Sequence, residues 1–189
     1  LISCAIKQVA HRGVRNRGTL GGSLSHADPA AEMPACSIAL DATIILESCD
    51  GERRVKSGDF FLGVMATDKQ PNEILKAVEF PVQKANDLWA FYELSLRHGD
   101  FALVGVVTTA QSSPKGISNL KLVVFGCEER PRVVEISSQM VSSGPSPDEI
   151  ADKVEAVGES NLPGIDHDQA VSWAKQSDGQ SDVNQVDHR

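Results

Sequence analysis

No apolar run in the 189 residues reaches the ~18 that a membrane-spanning helix needs, so the chain reads as a soluble protein. Positive charge is scarce. The 18 Lys plus Arg stand against 26 Asp plus Glu, for a formal charge of -8, which argues against a general binder of nucleic acid or anionic membrane and leaves room only for a local anion site. Cys4, Cys36, Cys49 and Cys127 are scattered, with no Cys-x-x-Cys pair and no histidine at ligand spacing. Neither a metal centre nor a disulfide framework is indicated, and four reduced thiols are expected. There is no Walker lysine pattern, no G-x-G-x-x-G order and no Ser-His-Asp order, so no catalytic residue is assigned. The chain begins Leu1-Ile2-Ser3-Cys4, without an initiator Met, a basic n-region or a long apolar h-region. It reads as an N-terminally truncated piece with no targeting segment of its own, and a cytoplasmic location is expected.

Hydrophobic residues at 41% and charged residues at 23% are ordinary for a globular chain of one generous domain or two small ones. Ile2, Ala5, Ile6 and Val9 form a 3.6-period stripe that predicts a helix over residues 1–10, ended at His11-Arg12-Gly13. Residues 14–25 (VRNRGTLGGSLS) are too glycine-laden for a helix interior and read as a loop. Asp28-Pro29 looks like a helix start, with Pro34 breaking or restarting it before a short buried helix over 35–40. Strands are predicted at 43–48 and 52–56, joined through Cys49-Asp50-Gly51, where Asp-Gly is a hairpin signal, and at 74–80 before Pro81. The polar stretch 82–87 places a domain boundary after residue 83. Beyond it, apolar runs at 88–96, 101–110 and 120–126 predict an antiparallel meander. Ile150, Val154 and Val157 predict an amphipathic helix over 148–160, and residues 176–189 form a polar tail with no core face, expected to be poorly ordered.

The segment RNRGTLGGSLSHADPAAE (15–32) is the one stretch composition alone does not explain. Gly18, Gly21 and Gly22 remove side chains so that backbone N–H groups can approach a ligand, and Arg15 and Arg17 add local positive charge. An ordinary tight glycine turn would carry the same residues.

Arg15 to Leu24, followed by His26-Ala27-Asp28-Pro29-Ala30-Ala31-Glu32-Met33-Pro34, resembles the FAD-binding medium subunit of the molybdenum hydroxylases, the carbon monoxide dehydrogenase and xanthine dehydrogenase family. The likeness continues in order through Leu40-Asp41-Ala42, Asp59 to Gly63, Asn72-Glu73-Ile74-Leu75, Phe80-Pro81 and Leu96 to Ala102. It implies an α+β fold: the C-terminal part of a two-subdomain FAD-binding domain over 1–83, then a small domain over 84–175 with a three-stranded antiparallel sheet and helices. It implies FAD as cofactor, with Thr19, Leu20, Gly21, Gly22 and Ser23 lying against it and Glu32 reaching the ribityl chain. Asp28 belongs to the same segment, or serves only as a helix cap. Leu75 falls where the family brings a leucine against the isoalloxazine ring, or is a strand core residue. Tyr92 replaces a lysine of several relatives and leaves stacking or a phenolic hydrogen bond open.

By the same resemblance the subunit passes electrons from iron-sulfur clusters to an external acceptor, and its partners are a molybdopterin-binding large subunit and a two-iron two-sulfur small subunit. The family's earlier glycine-rich loop, which holds the pyrophosphate, would precede residue 1. A rival reading is a non-catalytic assembly or regulatory module that kept the fold and lost the flavin.

Overall fold

The computed structural model describes residues 1–97 and 99–134. Four helical segments come first: α1 (Ile2–Ala5), α2 (Arg12–Arg15), α3 (Leu20–His26) and α4 (Glu32–Ala39). Strands β1 (Thr43–Ser48) and β2 (Gly51–Lys56) form a hairpin, followed by a turn of helix, α5 (Ser57–Phe60), and the short strands β3 (Phe61–Gly63) and β4 (Ala66–Thr67). Then come β5 (Ile74–Glu79), β6 (Asp87–Ser95), β7 (Ala102–Ser113), β8 (Gly116–Phe125) and β9 (Arg132–Val134). They build an antiparallel sheet of order β2-β1-β5, the small β3-β4 pair, and an antiparallel sheet of order β6-β7-β8-β9.

The β1–β2 register pairs Thr43 with Lys56 and Ser48 with Gly51, so Cys49 and Asp50 are a two-residue turn and Gly51 sits at φ +126°. Central β1 buries Ile44, Ile45 and Leu46 in succession, as a strand covered on both faces must. Arg53 on β2 grips the turn that leads into β5: it donates to both carboxylate oxygens of Glu73 at 2.8 Å, to the Asp68 carboxylate and to the Asp68 carbonyl at 2.7 Å.

Helix α4 is buried along its whole length and packs against β7 and β8. The Thr109 hydroxyl donates to the Ala39 carbonyl at 3.1 Å, and the Gly126 N–H donates to the Pro29 carbonyl at 2.9 Å. Phe60 and Phe61 meet edge to face at 5.2 Å, and Phe91 and Phe125 lie 6.0 Å apart in the same core.

Several local expectations give way. The helix expected over 1–10 is a single turn: after Ala5 the chain closes tighter bonds, Lys7 N–H to the Cys4 carbonyl and Gln8 N–H to the Ala5 carbonyl, and Ala10 takes a φ of 40°. His11 does not end that helix but is the N-cap of α2. The loop expected over 14–25 contains all of α3 but its last residue, because the Thr19 hydroxyl caps the Gly22 N–H at 2.9 Å and offsets the poor helix propensity of Gly21 and Gly22. Asp28 does not cap α4; its carboxylate accepts from the Ala30 N–H at 2.9 Å in a local turn, and the helix starts at Glu32. Pro34 does not break it, since the third helical position has no N–H partner to lose. Elements α5, β3, β4 and β9 were not predicted; β9 adds a fourth, three-residue strand to the three-stranded meander. The helix expected over 148–160 and the tail 176–189 lie outside the described residues.

Candidate cofactor site

A cavity of about 710 Å³ opens between the α1–α3 segment, residues 28–33 and the turn before β7. Its walls mix apolar groups (Ile6, Val9, Val14, Leu20, Phe101) with a few polar ones, the composition of a small-molecule site. Thr19, Leu20, Gly22, Ser23, Asp28 and Glu32 all line it, so six of the nine expected residues, spread over 14 positions of sequence, share one wall. Their convergence follows from local folding: the Thr19 cap starts α3, the left-handed Ala27 (φ 53°) ends it, and the Asp28 turn sends the chain back into α4 with Glu32 leading.

Gly21 and Leu75 face a neighbouring hollow of about 350 Å³, shared with Thr19, Gly22, Ser25, Lys69, Glu73 and Ile74. A Cβ on Gly21 would lie 3.5 Å from Leu75 Cδ2, an ordinary contact, whereas one on Gly22 would lie 2.9 Å from the Thr19 hydroxyl oxygen and force a shift. Tyr92 lines neither space. It sits on β6 opposite Val106, half exposed at 52%, and strand alternation turns it away from the face carrying Phe91. The cavity and the hollow together gather eight of the nine expected residues, Tyr92 excepted.

Sequence reasoning passed over Phe101 and Glu93. Phe101 is 70% exposed and lines the cavity together with Gly99 and Asp100. Gly99 makes this approach possible: at φ +81°, with any Cβ only 2.8 Å from the His11 ring, its backbone packs directly on residues 10–11. The Asp100 carboxylate accepts from the Phe101 N–H at 3.0 Å. Glu93 is next in the inward-facing row after Phe91, with its Oε2 sealed from solvent and without a hydrogen-bond partner, and that parity was its available sequence signal.

Charge at the site is uneven. Arg15 is anchored by donating to the Val9 carbonyl at 2.7 Å and to the Ala10 carbonyl at 2.5 Å, and Arg17 adds a second guanidinium to the lining. Glu32, on the same lining, is only 7% exposed; burial pushes its carboxyl pKa up, a hydrogen bond from its own N–H works against this, and the Asp28 charge adds to the rise. The chain thus offers an apolar wall, a capped glycine turn, two guanidinium groups of which Arg15 is anchored, and one buried acceptor, which is a set that fits an anionic, polyhydroxylated, aromatic cofactor.

Residues 1–83 match the family described as the FAD binding domain in molybdopterin dehydrogenase. The chain is 34% identical over 174 residues to the glyceraldehyde dehydrogenase medium chain of Sulfolobus acidocaldarius, covering 92% of this chain and 61% of that one. It is 34% identical over 124 residues to the carbon monoxide dehydrogenase medium chain of Hydrogenophaga pseudoflava, covering 66% and 43%. Among solved structures, it superposes with a TM-score of 0.80 on a chain of the carbon monoxide dehydrogenase from Hydrogenophaga pseudoflava that lacks the Mo-pyranopterin moiety of the molybdenum cofactor, at 28% identity, over 93% of this chain and 63% of that one. The chain thus spans less than two thirds of the length of these relatives. Among the described residues no helix is long and apolar enough to cross a membrane. With an α+β fold and a glycine turn facing a mixed apolar and polar cavity, residues 1–83 match the FAD binding domain of the molybdopterin dehydrogenases, and the cofactor that this match supports is FAD.

Proposed function

We propose that this chain is the part of a flavoprotein subunit that holds FAD for electron transfer within a molybdopterin-dependent hydroxylase or dehydrogenase of the cytoplasm. Residues 1–83 contribute to the flavin domain and the chain from 84 onward to a smaller second domain. The observation that carries this reading is the single wall formed by Thr19, Leu20, Gly22, Ser23, Asp28 and Glu32. When bound, FAD supplies the redox chemistry, and this chain's residues bind it and orient it. Thr19 to Ser23 bring backbone close to the cofactor because Gly21 and Gly22 carry no side chain. Glu32 offers an anionic acceptor to a ribityl hydroxyl, and Leu75, reached across Gly21, gives an apolar contact for a flat ring. Phe101 shields the mouth of the cavity from water. Tyr92, which does not line the cavity, has no place in this wall.

The electrons come, in this reading, from a two-iron two-sulfur small subunit fed by a molybdopterin-binding large subunit, and leave to an external acceptor. Support for such partners is the company of the medium chains that this sequence resembles.

The test is Gly22→Val in the full-length protein. The added Cβ meets the Thr19 hydroxyl and the branched side chain enters the cavity, so the variant is expected to purify folded, by circular dichroism, with its 450 nm-region flavin absorbance largely lost, roughly in line with a few kcal/mol of lost affinity. Full FAD content in a folded Gly22→Val protein overturns the site assignment. For the partners, co-expression with neighbouring genes and size-exclusion chromatography should give a complex carrying flavin, iron and molybdenum; a flavin-loaded protein running alone overturns the electron-transfer reading.

A further inference from the structure

Among the described residues that line the hollow of about 350 Å³ beside Gly21, Lys69 is the one cation, and the turn between β4 and β5 holds it there half-buried. That turn is pinned at both ends: the Asp68 N–H donates to the Phe60 carbonyl at 2.8 Å, and the Glu73 N–H donates to the Gln70 carbonyl at 3.0 Å. The ammonium folds back over it, donating to the Gln70 carbonyl at 3.4 Å and to the Glu73 carbonyl at 3.3 Å. Glu73 leads directly into β5, so Nζ is held two residues, about 7 Å of strand, before Leu75. Leu75 in turn meets Gly21, where an added Cβ would lie 3.5 Å from its Cδ2. A cation is thereby fixed at one rim of a hollow whose other rim is the glycine turn.

The neighbouring acids are engaged by Arg53, which donates to both Glu73 carboxylate oxygens at 2.8 Å and to the Asp68 carboxylate; the Gln70 N–H adds a further bond to Glu73 at 2.8 Å. Arg53 and Lys69 together balance Asp68 and Glu73, so this corner of the hollow is neutral with Lys69 and carries a net negative charge without it. Arg15 and Arg17 line the larger cavity and not this hollow.

We propose that Lys69 sets the reduction potential of the bound flavin by stabilising the negative charge that reduction places on the isoalloxazine ring. This role rests on the reading that Leu75 faces that ring. Reduction adds two electrons, delivered singly by the iron-sulfur donor of that reading, and one proton from water, so the neutral oxidised ring gains one net negative charge. Only the reduced ring is then strongly attracted to a nearby ammonium, and charge placed beside the ring is one of the levers by which a protein tunes a flavin. Half-burial leaves the attraction less screened than that of a fully exposed lysine. At roughly 10 Å and an effective dielectric of about 20, one unit of charge changes the preference for the reduced form by roughly tenfold.

The test uses the full-length protein loaded with FAD, reading the flavin midpoint potential by equilibration with dithionite and reference dyes and the affinities of oxidised and reduced FAD. Lys69→Met should keep oxidised FAD within about twofold and weaken reduced FAD by about tenfold, which for a two-electron couple lowers the potential by about 30 mV. Lys69→Arg keeps the charge and should hold the ratio of the two affinities within about twofold of wild type, or about 10 mV. An unchanged potential in Lys69→Met overturns the proposal, and so does an equal loss of affinity for both oxidation states, which is the mark of a merely structural lysine. Leu75→Ala separates the underlying reading. If it shifts the flavin absorption bands or weakens oxidised FAD, the ring lies at this hollow, and an unmoved Lys69→Met potential counts against the lysine alone. If spectrum and affinity stay as in wild type, the ring is not beside Leu75 and the proposal falls with that reading.

Discussion

At the scale of single residues, Thr19 and the two glycines after it illustrate how little separates a turn from a site. The Thr19 hydroxyl satisfies one of the free N–H groups that begin α3. Thr19→Ala should therefore lower stability by about 1 kcal/mol, measured by urea denaturation, and loosen the loop against the cavity. The glycines differ: Gly22→Ala presses a Cβ on the Thr19 oxygen, whereas Gly21→Ala makes only normal contact with Leu75 and gains helix propensity. Gly21→Ala is expected to be neutral or stabilising by up to about 1 kcal/mol in the same experiment, with Gly22→Ala falling on the other side of wild type. Cysteine chemistry divides as sharply. Burial pushes the Cys36 thiol up to about 12, and Cys49 is exposed in the β1–β2 turn. Brief alkylation of the native protein should label Cys49 and spare Cys36, as mass spectrometry of the digest would read, with Cys36 reacting only after unfolding.

At the scale of elements, the second sheet is held together by a missing side chain. A Cβ on Gly105 would lie 2.0 Å from Phe125 Cζ, so the ring that fills the core between β7 and β8 depends on the glycine opposite. Gly105→Ala should cost about 1–3 kcal/mol or more, and pairing it with Phe125→Leu should cost less than the sum of the two single changes. That sub-additivity, read from denaturation midpoints, is the signature of a direct clash rather than of lost strand propensity. The first sheet depends on Arg53, which joins β2 to the turn before β5 through Glu73 and Asp68. Because β5 carries Leu75, this ion-pair cluster also fixes one side of the hollow beside Gly21.

For the whole molecule, two carboxylates act on stability from opposite sides of neutrality. Hydrogen bonds from Arg53 pull Glu73 down to about 2, so its contribution is present above the ordinary 4.5 and lost as pH falls toward 2. Glu93, raised to about 7, works in reverse: the native state binds its proton more tightly than the unfolded chain, so that contribution is present below 4.5 and lost as pH rises through 7. From this pair, stability is expected to peak near pH 4.5 and to decline as pH rises toward 7, and Glu93→Gln should flatten only the alkaline side of a plot of urea midpoint against pH. A net charge of -8 adds general repulsion at high pH, which is why the comparison must be with the isosteric variant rather than with neutral pH alone.

Much of this was legible in the residues themselves. Alternating and continuous apolar runs located β1, β2, β5 and the β6–β8 meander, because strand burial writes its period directly into sequence, and Asp50-Gly51 announced its hairpin. Family likeness, carried by Thr19 to Ser23 and the segment around Glu32, pointed to the flavin wall. What stayed hidden depended on partners distant in sequence or on geometry that propensity does not encode. A threonine cap turned a glycine-rich loop into α3, and the tolerance of a helix's first turn kept Pro34 inside α4. Phe101 reaches the cavity only because Gly99 packs on His11, and Tyr92 is kept from it by the parity of β6. Glu93 became meaningful once folding had closed its Oε2 off from solvent without a hydrogen-bond partner, since the energy of a buried charge is fixed by what surrounds it in space.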